Sequence, residues 1–102
     1  SNQKELLLQL QKTIAKKGVT FGANSTIICG NTIGEYAFIA AGALVNSDVK
    51  PYSLMAGIPA KQIGWMSIYG EQIKLPLTGK GSWRCEHTGH NYVLDGNEIL
   101  VN

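Results

Sequence analysis

Charge is scarce in this chain: 16% of its 102 residues are Asp, Glu, Lys or Arg, against about 25% in an average soluble domain. That scarcity excludes a charge-driven disordered tail and a coiled coil. Nine basic residues face seven acidic ones, for a formal net charge of +2, and no block of like charges occurs, so the chain lacks the electrostatic footprint of a nucleic-acid binder. No apolar run reaches the length of a membrane span, and no charged region leads into an apolar signal segment. Cysteines number two, Cys29 and Cys85, too few for a disulfide framework, which makes a reducing cytoplasm the expected compartment. Proline is limited to three positions, whereas glycine reaches 12. With no low-complexity stretch, that excess points to many tight turns in a folded chain.

A chain of this length buries only about 60 to 65% of its unfolded surface, so partners are expected to matter. It opens Ser1-Asn2 rather than with methionine, which reads as a remnant of tag removal and as a piece of a longer protein. Three zones follow: an N-terminal segment over 1–17, a Gly, Ala, Ile and Val-rich zone over 18–64, and a tail over 65–102. In the first, Leu6, Leu7, Leu10 and Ile14 fit an amphipathic helix, although a strand fits as well, and the segment is a candidate cap. In the tail, Asn91–Leu94 and Glu98–Val101 flank Asp95-Gly96-Asn97, the pattern of two short strands joined by a tight turn.

The middle zone repeats every six residues. Phe21, Ile27, Ile33, Ile39 and Val45 each open a block; at this apolar content five such hits in a fixed frame have a chance of about 2%, before allowing for the choice among six frames. The residue after the opener is small or turn-forming at Gly22, Gly34, Ala40 and Asn46, and the residue two before it is mostly small (Val19, Ser25, Asn31, Ala37, Ala43). A period of six suits neither a helix nor a plain hairpin, but it suits a short strand followed by a corner. Three sides close an eighteen-residue triangular coil, and stacked coils form parallel sheets. The register then predicts columns of inward side chains: Phe21 with Ile39, Ile27 with Val45, and Ala15 with Ile33 and Pro51. A constant six-residue register weighs against an antiparallel sandwich. The expected class is all-β: a parallel β-helix of about two coils, the N-terminal segment, and a small C-terminal hairpin or ribbon.

The run from Ile33 to Val45, then Asp48-Val49-Lys50-Pro51-Tyr52 and Ala56-Gly57-Ile58-Pro59-Ala60-Lys61-Gln62-Ile63-Gly64, resembles the hexapeptide-repeat acyltransferases. That resemblance implies a left-handed β-helix, an exception to the usual crossover handedness. Residues 16–34 and Ile63-Gly64-Trp65-Met66 look like the bacterial enzymes that N-acetylate the 3-amino group of UDP-2-acetamido-3-amino-2,3-dideoxy-glucuronate. Members of that group are longer, and many end in a ribbon that begins Trp-Met-Cys-x-Cys-Gly. Here Ser67, Ile68 and Tyr69 precede Gly70, and the later cysteine pair is represented by Cys85 alone, followed by His87 and His90. Three candidate ligands fall short of a closed four-ligand zinc site, so no metal is expected, and the absence of coil histidines argues against a zinc carbonic anhydrase.

The resemblance further implies a homotrimer with coenzyme A lying in a groove between subunits. Its pantetheine would run along Ala40, Ala41, Gly42 and Ala43, with Lys50 and Lys61 at the phosphates and Pro59 and Ala60 against adenine. The implied activity is transfer of an acetyl group from acetyl-CoA to a nucleotide-activated amino sugar for surface polysaccharide. The alternatives are a sugar O-acetyltransferase, which usually needs a coil histidine, and a non-catalytic trimerising module. An amine that binds neutral needs no dedicated base, so the catalytic residues stay unassigned; a backbone N–H in the Ala41–Gly42 corner is the expected oxyanion donor.

Overall fold

A computed structural model describes residues 12–102; the predicted N-terminal cap, with Leu6, Leu7 and Leu10, lies outside them. Six two-residue strands come first: β1 (Ile14–Ala15), β2 (Thr20–Phe21), β3 (Thr26–Ile27), β4 (Thr32–Ile33), β5 (Phe38–Ile39) and β6 (Leu44–Val45). The first three pair in parallel with the strands eighteen residues on: Ala15 opposite Ile33, Phe21 opposite Ile39 and Ile27 opposite Val45. Among the described residues the coil is already in place at Ile14, four residues ahead of the boundary the glycine-rich composition suggests, and Ile14 sits in a strand, not a helix.

The six-residue side works because of its corner. A residue with positive φ recurs at Gly18, Asn24, Gly30, Tyr36 and Gly42, again six apart. At Gly22–Ser25, Gly34–Ala37 and Ala40–Ala43 the fourth residue's N–H donates to the first residue's carbonyl at 3.2 Å. A bond of that span with positive φ at the third position is a type II turn. Inside the prism, Ile33, Ile39 and Val45 are buried with Ala37 and Ala43, so the openers and the small residues two before them share one core. Phe21, at the end of the described coils, is 44% exposed because no described coil covers it. Close stacking also fixes Gly22: a Cβ there would lie 2.4 Å from the Ala41 backbone nitrogen.

The second coil is two residues short. Ile33 bridges Val49 and Ile39 pairs with Met55, sixteen residues on, so the predicted column of Ala15, Ile33 and Pro51 is wrong at its last member. Val49 takes the interior place and is buried, whereas Pro51 is exposed. The reason lies in the turn Lys50–Ser53, whose Ser53 N–H donates to the Lys50 carbonyl at 3.2 Å. Pro51 occupies its second position, where a fixed φ near −65° suits a type II turn, and Tyr52 its third with φ of 63°.

Beyond this turn β7 (Ser53–Gly57) pairs in parallel with β5, but the chain then reverses into β8 (Ala60–Met66), antiparallel to β7, followed by β9 (Gln72–Ile73). The parallel coils therefore end in a hairpin. A three-stranded antiparallel ribbon closes the chain: β10 (Gly79–Arg84), β11 (Asn91–Gly96) and β12 (Glu98–Val101). Asp95 opposes Glu98, and Gly96 with φ of 69° leads the two-residue turn predicted there. A second core of Trp65, Ile73, Cys85, Tyr92, Leu94 and Ile99 lies under the ribbon.

Two contacts join the cores. Tyr36 stacks on Tyr52 with centroids 5.7 Å apart, and Tyr52 meets Tyr92 edge-on at 5.9 Å. On the same side Lys50 Nζ donates to the Asn97 carbonyl at 2.7 Å and lies 5.2 Å from the centroid of the Trp65 ring. Trp65 is itself fixed by its indole N–H, which donates to the Pro76 carbonyl at 2.8 Å.

Three stability outcomes follow from this packing. Gly22→Ala should cost about 1–3 kcal/mol in urea unfolding, because the backbone above has to move; an unchanged midpoint would contradict the coil spacing. Lys50→Met should cost about 1 kcal/mol and speed hydrogen exchange at the Trp65 indole, through loss of one hydrogen bond and one cation–π contact. Ser53 Oγ is buried without a hydrogen-bond partner, so Ser53→Ala should leave the melting temperature unchanged or raise it. A fall there would mean that the hydroxyl is paired.

Candidate functional site

Eight residues were expected to hold the acyl carrier, and the fold separates them into three groups. Ala40, Ala41 and Gly42 form a type II corner on the surface of the second coil. Gly42 has φ of 72°, and a Cβ there would meet nothing within 4 Å. The corner therefore faces open space, with backbone exposed where a side chain would otherwise stand. Ala40 N–H donates to the Met55 carbonyl at 2.8 Å, and the next residue, Ala56, pairs with Lys61. Ala40, Ala56 and Lys61 follow one another across three adjacent strands, with Lys61 and Pro59 exposed.

Ala43 and Ala60 form the second group. Both are buried in the prism core, so their methyl groups face the axis rather than a groove; their small size serves the coil interior. Lys50 stands alone. It belongs to the corner of Glu35, Tyr36 and Tyr52, and its ammonium is engaged with Asn97 and Trp65. A cation so held is diverted from a phosphate at the Gly42 corner.

The oxyanion donor is narrowed in the same way. Gly42 N–H already donates to the Ala23 carbonyl at 2.9 Å, a rung of the coil ladder, and using it for a ligand would break that rung. Of the two N–H groups in that corner, Ala41 is the remaining candidate.

The tail residues singled out for metal or base chemistry are occupied otherwise. His87 stacks on Tyr69 with centroids 4.2 Å apart and planes 4° from parallel. His90 meets the Tyr92 ring edge-on, and its Nδ1 is buried without a partner. Cys85 is buried, and the Thr88 hydroxyl beside it draws its thiol below the ordinary pKa, against the opposing effect of desolvation. Ser67 is buried, and its hydroxyl accepts from the Glu71 N–H at 3.0 Å. Next to it, Tyr92 Oη accepts from the Ile68 N–H at 2.9 Å. Burial raises the Tyr92 phenol, so it stays neutral at physiological pH. A hydrogen-bonded knot thus ties the loop at residues 67–71 to β11. Cys29 is exposed on a coil corner. Among the described residues no three His, Cys, Asp or Glu side chains converge as a metal-binding group.

Sequence reasoning missed the clamp of Lys50 on Asn97, because nothing in the sequence pairs residues 47 positions apart. It also missed the Tyr36, Tyr52 and Tyr92 series, for which the tyrosine spacing of sixteen residues was the available signal.

No known family profile matches the chain. It is 49% identical over 55 residues to the dTDP-3-amino-3,6-dideoxy-alpha-D-galactopyranose 3-N-acetyltransferase of Aneurinibacillus thermoaerophilus, a match covering 54% of this chain and 29% of that protein. With the 2,3,4,5-tetrahydropyridine-2,6-dicarboxylate N-acetyltransferase of Brevibacillus brevis it shares 43% over 53 residues, 52% of this chain and 22% of the other. Among solved structures, serine acetyltransferase from Vibrio cholerae superposes with a TM-score of 0.53 at 33% identity, over 54% of this chain and 21% of that one. The chain spans less than a third of the length of each of these relatives. They are hexapeptide-repeat acetyltransferases built on a left-handed parallel β-helix, and over about half of its length this chain shares their sequence and their coil.

Proposed function

We propose that this chain is part of an acetyl-CoA-dependent N-acetyltransferase acting on a nucleotide-linked amino sugar for surface polysaccharide, working as a homotrimer in the cytoplasm. The observation that carries the reading is the 49% identity to an enzyme named for N-acetylation of a dTDP-linked 3-amino sugar, joined to a coil corner that is open at Gly42. The free state of Cys29 and Cys85 agrees with a reducing compartment.

In this reading the pantetheine arm of coenzyme A runs along Ala40, Ala41 and Gly42, where the missing Cβ lets it approach the backbone. Lys61 supplies the phosphate contact, since Lys50 is held by Asn97, and Pro59 offers an apolar rest for adenine. The neutral sugar amine attacks the thioester carbonyl; the carbon–nitrogen bond forms, the carbon–sulfur bond breaks, coenzyme A leaves as its thiolate, and the ammonium proton passes to solvent. Holding amine and thioester together supplies most of what the step requires, with a backbone N–H, Ala41 the candidate, turned to the developing oxyanion. The described coils hold no histidine that could deprotonate a hydroxyl, which favours an amine over an alcohol as acceptor.

Calorimetric titration with coenzyme A tests the site. Gly42→Trp should abolish binding while costing about 1–2 kcal/mol of stability, the expense of a non-glycine residue at positive φ. Equal affinity in the variant, at an unchanged trimer by sedimentation, would remove the corner from the reading. Acetyl transfer is tested in the full-length enzyme with acetyl-CoA and a dTDP-linked 3-amino sugar; coenzyme A binding without turnover on any nucleotide-linked amino sugar would favour the non-catalytic module.

A further inference from the structure

The ribbon carries a cleft that the proposed acetyl transfer does not use. Its volume is about 290 Å³, and it is lined by Glu71, Lys74, Trp83, Arg84, Glu86 and His87. Glu71 and Lys74 flank β9, Trp83 and Arg84 end β10, and Glu86 and His87 belong to the turn that follows. Its chemistry is unusual for a surface of so little charge. Two cations and two carboxylates share one small concavity with an indole, and their formal charges cancel. A bare anion would meet two carboxylates there, and a cation two basic groups, so neither is favoured. A solute that both donates and accepts hydrogen bonds satisfies the whole set. Carboxylates only accept, Lys and Arg only donate, and each hydroxyl can do both.

Trp83 adds the second requirement. It is half-buried, packed at one side on Tyr92 with centroids 5.9 Å apart, and it also lines the cleft. An indole in that position provides a rigid apolar surface for a flat carbon–hydrogen face. His87, which also lines the cleft, is held by its stack on Tyr69, which orders the imidazole there. The volume suits one ring better than an extended ligand, since pockets for larger ligands run from about 300 Å³ upward. Small size, an aromatic wall and alternating donors and acceptors are together the requirements of a pyranose. We propose that this cleft is a saccharide-binding subsite, which takes one neutral hexose unit with its carbon–hydrogen face on Trp83 and its hydroxyls on Glu86 and Arg84. It stands on the ribbon, independent of the acetyl-transfer reading.

The test is a titration of the full 102-residue chain, labelled with nitrogen-15, using the methyl glycosides of glucose, galactose and N-acetylglucosamine as probes. Saturable shifts are expected at the Trp83 indole N–H and at the Arg84 and His87 amides, with about millimolar affinity for at least one probe. Glu86→Gln and Arg84→Gln, both at exposed positions, should keep the spectrum of the folded ribbon and weaken binding about tenfold each, since each removes a charged hydrogen-bond partner. Absence of saturable shifts with all three glycosides would overturn the proposal. So would unchanged affinity in both variants, or the same shifts produced by inorganic phosphate alone, which would make the cleft an anion site.

Discussion

A chain that turns in the same sense every six residues brings the same positions of successive coils into contact, and nearly everything in this molecule answers to that constraint. The corner must hold a residue at positive φ, which explains Gly18, Asn24, Gly30 and Gly42. The residue after the opener lies against the backbone of the next coil at Gly22 and Gly34, where a Cβ would come within 2.4 Å of the Ala41 and Pro51 nitrogens. The opener fills the axis, and the residue two before it must be small for the same axis to have room. Tyr36 and Tyr52 are exceptions that confirm the cost: bulky side chains at positive φ are unfavourable by themselves, and both are recovered by stacking on one another along a corner that leads to Tyr92. Burial, with Glu35 close by, also raises the Tyr52 phenol above its usual range, so Tyr52 stays neutral at physiological pH.

The same constraint explains how much was legible beforehand. Five openers, their partners eighteen residues on and the small companions could be read because periodicity is a property of the sequence itself. What the period does not encode is where it fails. An eighteen-residue frame puts Pro51 over Ile33, but the turn at Lys50–Ser53 gives Pro51 the second turn position and so shortens the coil to sixteen residues, which leaves the place to Val49. The reversal after Gly57 was equally silent: Gly-Ile-Pro-Ala-Lys marks an ending, but not that β8 returns antiparallel to β7.

The candidate site was half legible for a related reason. Ala40, Ala41 and Gly42 are contiguous, and a six-residue frame assigns them to one corner. Lys61 follows Ala40 across the sheet only through Ala56 of β7, a pairing made by the antiparallel return of β8 that the six-residue frame does not contain. Lys50 was drawn to the site by its charge and its nearness in sequence, yet the corner on which it sits faces the ribbon. Small residues were misread in the complementary way: alanine suits both a groove that a ligand approaches and an interior with no room, and Ala43 and Ala60 serve the interior.

Two cores of different kinds therefore meet in one short chain, and their junction bears on function. The coil core is a stack of aliphatic openers that repeats and can be extended; the ribbon core is aromatic and hydrogen-bonded, with Trp65, Tyr92 and Cys85 fully enclosed. Lys50 and the tyrosine series hold the ribbon against a corner other than the one open at Gly42. A rigid ribbon on that side leaves the Gly42 corner uncovered by the described chain, which is what a backbone groove requires if something else is to lie along it. The cleft near Trp83 is tied into the same ribbon architecture, because Glu71, which lines it, is held through its backbone N–H by the Ser67 hydroxyl, next to the bond from the Ile68 N–H to Tyr92.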